Sequence, residues 1–221
     1  MRATALEVGY GVAVCAPVTF CLAAGEVLAV VGVNGTGKST LLRTVVGQLE
    51  PVRGRVDVLG EPPDDRNAGF RAAVAVDLGD DAFFPALTVR EHLLMTCYGH
   101  GVADAARVST DLLEEFGLTE RAEALPAALS SGQRRRLLLA AAFARPRELL
   151  VLDEPEQRLD AGMRARLTRR LVDERRHGRA VLIASHDPAV VAGAATAVLL
   201  IDEDDVRPLA PAAAAAAIES M

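Results

Sequence analysis

The chain has 221 residues, 51% of them apolar, enough for one large domain or for a core with an inserted subdomain. Its net charge of −6 argues against nucleic acid as a direct partner, because proteins that track phosphate backbones present a basic face. Cys15, Cys21 and Cys97 lack metal-ligand spacing and read as reduced residues of a cytosolic protein; no apolar run reaches the length of a membrane span, and Glu7 and Gly9 interrupt the pattern of a signal peptide.

In chain order, residues 4–10 alternate as an edge strand, with further strands expected at 12–15 and 18–22. An apolar run at 26–33 reads as a buried strand and 39–48 as a helix. Residues 51–54 form a turn, 55–59 a strand, 61–67 a proline-rich loop and 72–77 another strand. The character then changes. Residues 80–146 are mostly helical, with helices expected at 89–98, 103–116, 120–124 and 132–144. Strand and helix alternate again at 148–152, 161–177, 180–184, 189–194 and 197–201, which implies a largely parallel sheet with ligands at the carboxyl ends of its strands. Seven arginines within 164–179 are interleaved with acids and read as a solvated helix face. The six alanines of 212–217 suggest a frayed helix or a disordered tail.

The chemistry centres on Gly32, Val33, Asn34, Gly35, Thr36, Gly37, Lys38, Ser39 and Thr40, which fit the pattern Gly-x-x-x-x-Gly-Lys-Ser/Thr between a strand and a helix. Such a loop aims successive N–H groups at a triphosphate, aided by the partial positive charge of the helix start. Lys38 would reach the β- and γ-phosphates and the Ser39 hydroxyl would bind Mg²⁺. Lys38 is also the only lysine, the other 23 basic residues being arginine. A compact ammonium fits between phosphates where a planar guanidinium does not.

Three further stretches complete a site. Four apolar residues, Leu149, Leu150, Val151 and Leu152, end in Asp153 and Glu154. A strand that delivers two acids beside a phosphate loop gives one carboxylate to the metal and one to the attacking water. A second apolar run ends in Ser185 and His186, where an imidazole can contact the γ-phosphate. Leu129, Ser130, Ser131, Gly132 and Gln133 open a helix and form a second anion site. One triphosphate needs only one such helix end, so the surplus points to a head-to-tail dimer in which each chain completes the other's site. Tyr10 reads equally well as a stacking platform for a base and as a plain strand aromatic.

These residues together resemble an ATP-binding-cassette ATPase, the nucleotide-binding subunit of an ABC transporter, over all but the alanine tail. By this resemblance Tyr10 is the adenine-stacking aromatic, residues 32–40 the Walker A motif, 129–133 the signature motif and 149–154 the Walker B motif with its catalytic glutamate. Leu159 and Asp160 match the D-loop, and His186 the switch histidine. The implied fold is α/β: a P-loop NTPase core with a mostly parallel sheet, an N-terminal antiparallel β subdomain and an inserted helical subdomain. The core would take residues 1–79 and 147–207, the helical subdomain 80–146 and the tail 208–221. Three departures stand out. Ser131 replaces a glycine of the usual Leu-Ser-Gly-Gly-Gln; Glu156, Gln157 and Arg158 precede the D-loop where small residues are usual; and no glutamine lies between Gln48 and Gln133, so the Q-loop position falls in Val76, Asp77, Leu78, Gly79 and Asp80. Asp77 or Asp80 is expected to act there through water.

The expected activity is hydrolysis of Mg·ATP by a dimer, with two nucleotides in its interface, driving a separate integral membrane permease docked near residues 83–88. Lys38, Glu154 and His186 would be catalytic, and Ser39 and Asp153 would hold Mg²⁺. Tyr10, the residues of 32–40, Ser130, Gly132, Gln133 and Asp160 would contact ATP. The dimer would be a homodimer or a pairing with another ABC ATPase, placed at the inner face of the cell membrane through its permease. The short cassette is similar to subunits of small bacterial exporters; the alternative is a non-transport ABC ATPase with a regulatory or mechanical role.

Overall fold

The computed structural model describes residues 1–79, 82–202 and 205–220. A six-stranded sheet forms the centre, in the order β5 (Val74–Asp77), β6 (Leu149–Asp153), β7 (Ala180–Ala184), β3 (Val27–Val31), β8 (Ala197–Ile201) and β9 (Val206–Leu209). The first five run parallel and β9 is an antiparallel edge. Strands β3, β6 and β7 are buried at every position, which is why their sequences are unbroken apolar runs rather than alternating ones. A second, antiparallel sheet orders β2 (Val18–Cys21), β1 (Arg2–Glu7) and β4 (Arg53–Asp57).

Alternate residues of β3 serve two cores. Leu28 and Val30 pack with α1 (Lys38–Val45) and the antiparallel sheet, whereas Val27, Ala29 and Val31 face the core shared with the remaining helices. These are α3 (Val89–Gly99), α4 (Ala105–Glu115) and α5 (Ser131–Ala144), then α6 (Ala161–Arg176), α7 (Pro188–Ala194) and α8 (Pro211–Ser220). Helices α3 to α5 make up the expected insertion between β5 and β6.

Several expectations need correcting. Residues 12–15 form no strand: Gly11 turns at φ 85°, a single bridge joins Gly9 to Ala13, and Val14 and Cys15 lie against Gly37 instead. The strand expected from residue 72 begins at Val74, because Asn67 caps a short helix α2 (Ala68–Ala73) by accepting the N–H groups of Gly69 and Phe70. Strand β9 was hidden by Pro208, which an edge strand tolerates. The alanine tail is an ordered helix: alanine has the highest helix propensity, and α8 packs on α7 with Ala214 fully buried. The arginine-rich face of α6 is mostly solvated, but Glu174 within it is buried.

Candidate functional site

The phosphate loop joins β3 to α1. Gly32 is required sterically, since a Cβ there would sit 2.2 Å from the carbonyl oxygen of Ile201. Helix α1 starts at Gly37 in the left-handed region with no side-chain cap, which leaves its first N–H groups to a ligand. Lys38 is buried and its Nζ donates to the carbonyls of Gly32 and Val33, at 2.8 and 2.9 Å. Burial pulls its pKa down, against the opposing charges of Glu154 and Asp153. Thr36 donates its hydroxyl to Val33 O, so only its backbone is left for phosphate, while Asn34 and Ser39 are exposed and Thr40 half-buried.

Strand β6 carries Asp153 and Glu154 to the same end of the sheet. Burial raises the Asp153 pKa, opposed by a hydrogen bond with Ser39. Its Oδ1 is buried without a partner. A serine hydroxyl beside an orphaned carboxylate oxygen fits Mg²⁺, which takes few protein ligands and fills its shell with water and phosphate. Among the described residues no three His, Cys, Asp or Glu side chains gather into an all-protein metal cage. Glu154 adopts φ 45° and donates its N–H to Ala184 O at 2.9 Å. Its carboxylate accepts from Gln157 Nε2, and His186 Nε2 lies 3.1 Å from its other oxygen without hydrogen-bond alignment.

A cleft of about 710 Å³ brings Asn34, Glu154 and His186 together with Glu156, Gln157 and Ile218 of α8. An adjoining cavity of about 240 Å³ joins Ser39, Asp153 and Glu154 to Arg135. The other candidates stand apart from these two spaces. Tyr10 is 73% exposed on the segment that packs against Gly37. Ser130 and Gln133 cap α5 reciprocally: Gln133 N–H donates to Ser130 Oγ and Ser130 N–H to Gln133 Oε1. Gly132 lets the backbone of Arg158 approach, since a Cβ would meet its carbonyl oxygen at 2.8 Å. Asp160 caps α6 by accepting the Met163 N–H at 2.8 Å.

Sequence reasoning missed two residues. Glu156 is buried, and its Oε1 accepts the Ser185 hydroxyl at 2.7 Å and the His186 N–H at 2.8 Å, so it fixes the tip of β7. The only signal was that a large acid stood where small residues are usual. Arg135 is buried against Asp77. The expectation that Asp77 acts through water therefore fails, because its carboxylate is taken up by a guanidinium; Asp80 lies outside the described residues.

The comparisons with known proteins agree with this geometry. The family described as ABC transporter matches residues 15–157. The chain is 36% identical over 170 residues to Nod factor export ATP-binding protein I of Bradyrhizobium diazoefficiens, covering 76% of this chain and 56% of that protein. It is 35% identical over 187 residues to thiamine import ATP-binding protein ThiQ of Rhizobium meliloti, covering 81% and 76%. The solved ATP-binding subunit of an ABC transporter superimposes with a TM-score of 0.85 at 27% identity, over 95% of this chain and 89% of that one. A dimeric ATP-binding cassette solved with ADP and Pi shares the fold, with a TM-score of 0.84 at 18% identity over 95% and 98%. A phosphate loop, an acid-tipped β6 and a capped signature helix on this sheet define an ATP-binding-cassette ATPase. The chain belongs to the ABC transporter family. It spans just over half the length of the Nod factor relative, and none of its described helices is long and apolar enough to cross a membrane.

Proposed function

We propose that this chain binds and hydrolyses Mg·ATP as one half of a cassette dimer and so powers a separate membrane permease. The observation that carries the reading is the convergence of Asn34, Glu154 and His186 on one cleft, with Ser39 and Asp153 beside them. Lys38 trades its two loop carbonyls for phosphate oxygens, and the uncapped start of α1 supplies N–H donors. Ser39 and Asp153 hold Mg²⁺, whose chemistry is to neutralise charge on the phosphates. Glu154 takes the proton of the attacking water, and His186 orients beside it toward the γ-phosphate.

Tyr10 supplies a face for adenine, being exposed beside the phosphate loop. Ser130, Gly132, Gln133 and Asp160 serve the nucleotide of the facing chain, a reading supported by the uncapped start of α1, which already gives each chain one anion-binding helix end for its own nucleotide. The dimeric neighbour with ADP and Pi supports the same arrangement. The permease docks on the exposed rim at Phe84, which with His92, Thr96 and His100 borders a cavity of about 400 Å³. One relative named above is an export protein and the other an import protein, so we assign direction to the permease rather than to this chain.

The test is ATP turnover with and without Mg²⁺, together with sizing of Glu154→Gln at saturating ATP. Phosphate release that depends on Mg²⁺ and a dimer that forms only with nucleotide are expected. A chain that stays monomeric at saturating ATP would remove the second half of the site.

A further inference from the structure

One buried charge pair reaches the catalytic tip of β6 from outside it. Asp77 closes β5 and Arg135 lies in the second turn of α5, and the two side chains are each only 6% exposed. Arg135 Nη1 donates to both carboxylate oxygens of Asp77, at 2.9 and 3.1 Å. Its Nη2 donates to the main-chain carbonyls of Asp153 and Glu154, at 3.0 and 3.1 Å. One guanidinium thus ties α5 to β5 and to the tip of β6. A planar fork can serve these four acceptor atoms at once, whereas an ammonium has only three donors and no fixed plane.

The unit it holds is the strained one. At φ 45° Glu154 adopts a left-handed backbone that a non-glycine residue keeps only where its surroundings impose it. Ala184 fixes its N–H and Arg135 fixes its carbonyl. Asp77 supplies the counter-charge without which the guanidinium would be a buried, uncompensated cation.

We infer that Arg135 is a positioning residue for Glu154, held in register by Asp77. The inference rests on Glu154 being the general base. Mg·ATP turnover, Mg·ATP binding and thermal unfolding would be measured on the whole chain for Arg135→Lys, for Asp77→Leu combined with Arg135→Met, and for Glu154→Gln. Arg135→Lys keeps the charge beside Asp77 but loses the fork, and the double variant removes both charges, so neither leaves an unpaired charge buried. Both variants are expected to hold Kd for Mg·ATP within about threefold while kcat falls on the order of a hundredfold, as expected for a displaced catalytic group. If either variant turns over at the parent rate with unchanged binding, the pair is only a structural staple and the inference fails. Parent-level turnover by Glu154→Gln would instead sink the base assignment, and the positioning role with it.

Discussion

Strand β6 has a buried ionic cluster at each end, and the two do different work. At its amino end Glu174 of α6 is clamped by Arg147 at 2.5 Å and by Arg179 at 3.0 Å, and Arg170 approaches to 3.5 Å. Arg147 and Arg170 also lie over the ring of Phe143, at 5.3 and 5.1 Å. At the carboxyl end Arg135 meets Asp77 and then two main-chain carbonyls. The side-chain chemistry is the same. What differs is the backbone within reach: only at the carboxyl ends of parallel strands does a clamp touch residues that face the ligand. The amino-end cluster therefore sets stability and the carboxyl-end cluster sets turnover.

The sharpest break of this contrast is Glu154→Gln, which keeps the fold and Mg·ATP binding but should lower kcat by about 10²- to 10⁴-fold, the range of a lost general base. Steady-state phosphate release beside a binding titration checks it. At the other end, Glu174→Ala leaves the buried Arg147 guanidinium without its carboxylate and should cost about 3–5 kcal/mol of stability, read by denaturant unfolding. The turnover of the folded fraction should stay near the parent value.

The same residue gives a pH signature. Burial pushes the Glu174 pKa up, but the hydrogen bond and charge of Arg147 and the charge of Arg179 outweigh it, so the carboxyl is held below its ordinary value. A depressed folded pKa adds stability that is fully present above the unfolded value, about 4.3, and is lost as pH falls through the folded one. Unfolding midpoints between neutral and acid pH should show a drop that Glu174→Gln flattens.

A smaller effect is expected for Glu156→Gln, which loosens the hold on Ser185 and His186: kcat should fall about tenfold, or ~1.4 kcal/mol in barrier. The smallest is Arg107→Ala, whose two ion pairs with Asp104 and Asp111 are solvent-exposed. It should shift unfolding by less than ~1 kcal/mol, because such pairs contribute little.

The buried strands were legible because strands covered on both faces must be apolar throughout, and their polar ends then mark the ligand side. For the same reason Lys38, Ser39, Asp153, Glu154 and His186 could be placed from local pattern alone. Contacts between distant segments were not legible. Asp77 and Arg135 lie 58 residues apart, and nothing local tells Arg135 from Arg134 or Arg136 on the same helix. Glu156 looked like an intrusion until Ser185 and the His186 N–H appeared as its partners. Strand β9 and helix α2 were missed because edge pairing and an Asn67 cap overrode weak local preference.

The solitary lysine has a practical consequence. Lys38 carries the chain's only side-chain amine, and that amine lies within the loop proposed to hold phosphate. Because that amine is buried against the Gly32 and Val33 carbonyls, an amine-selective reagent meets one internal amine and reaches it only when the loop opens, so labelling at Lys38 reports that opening with no engineered probe.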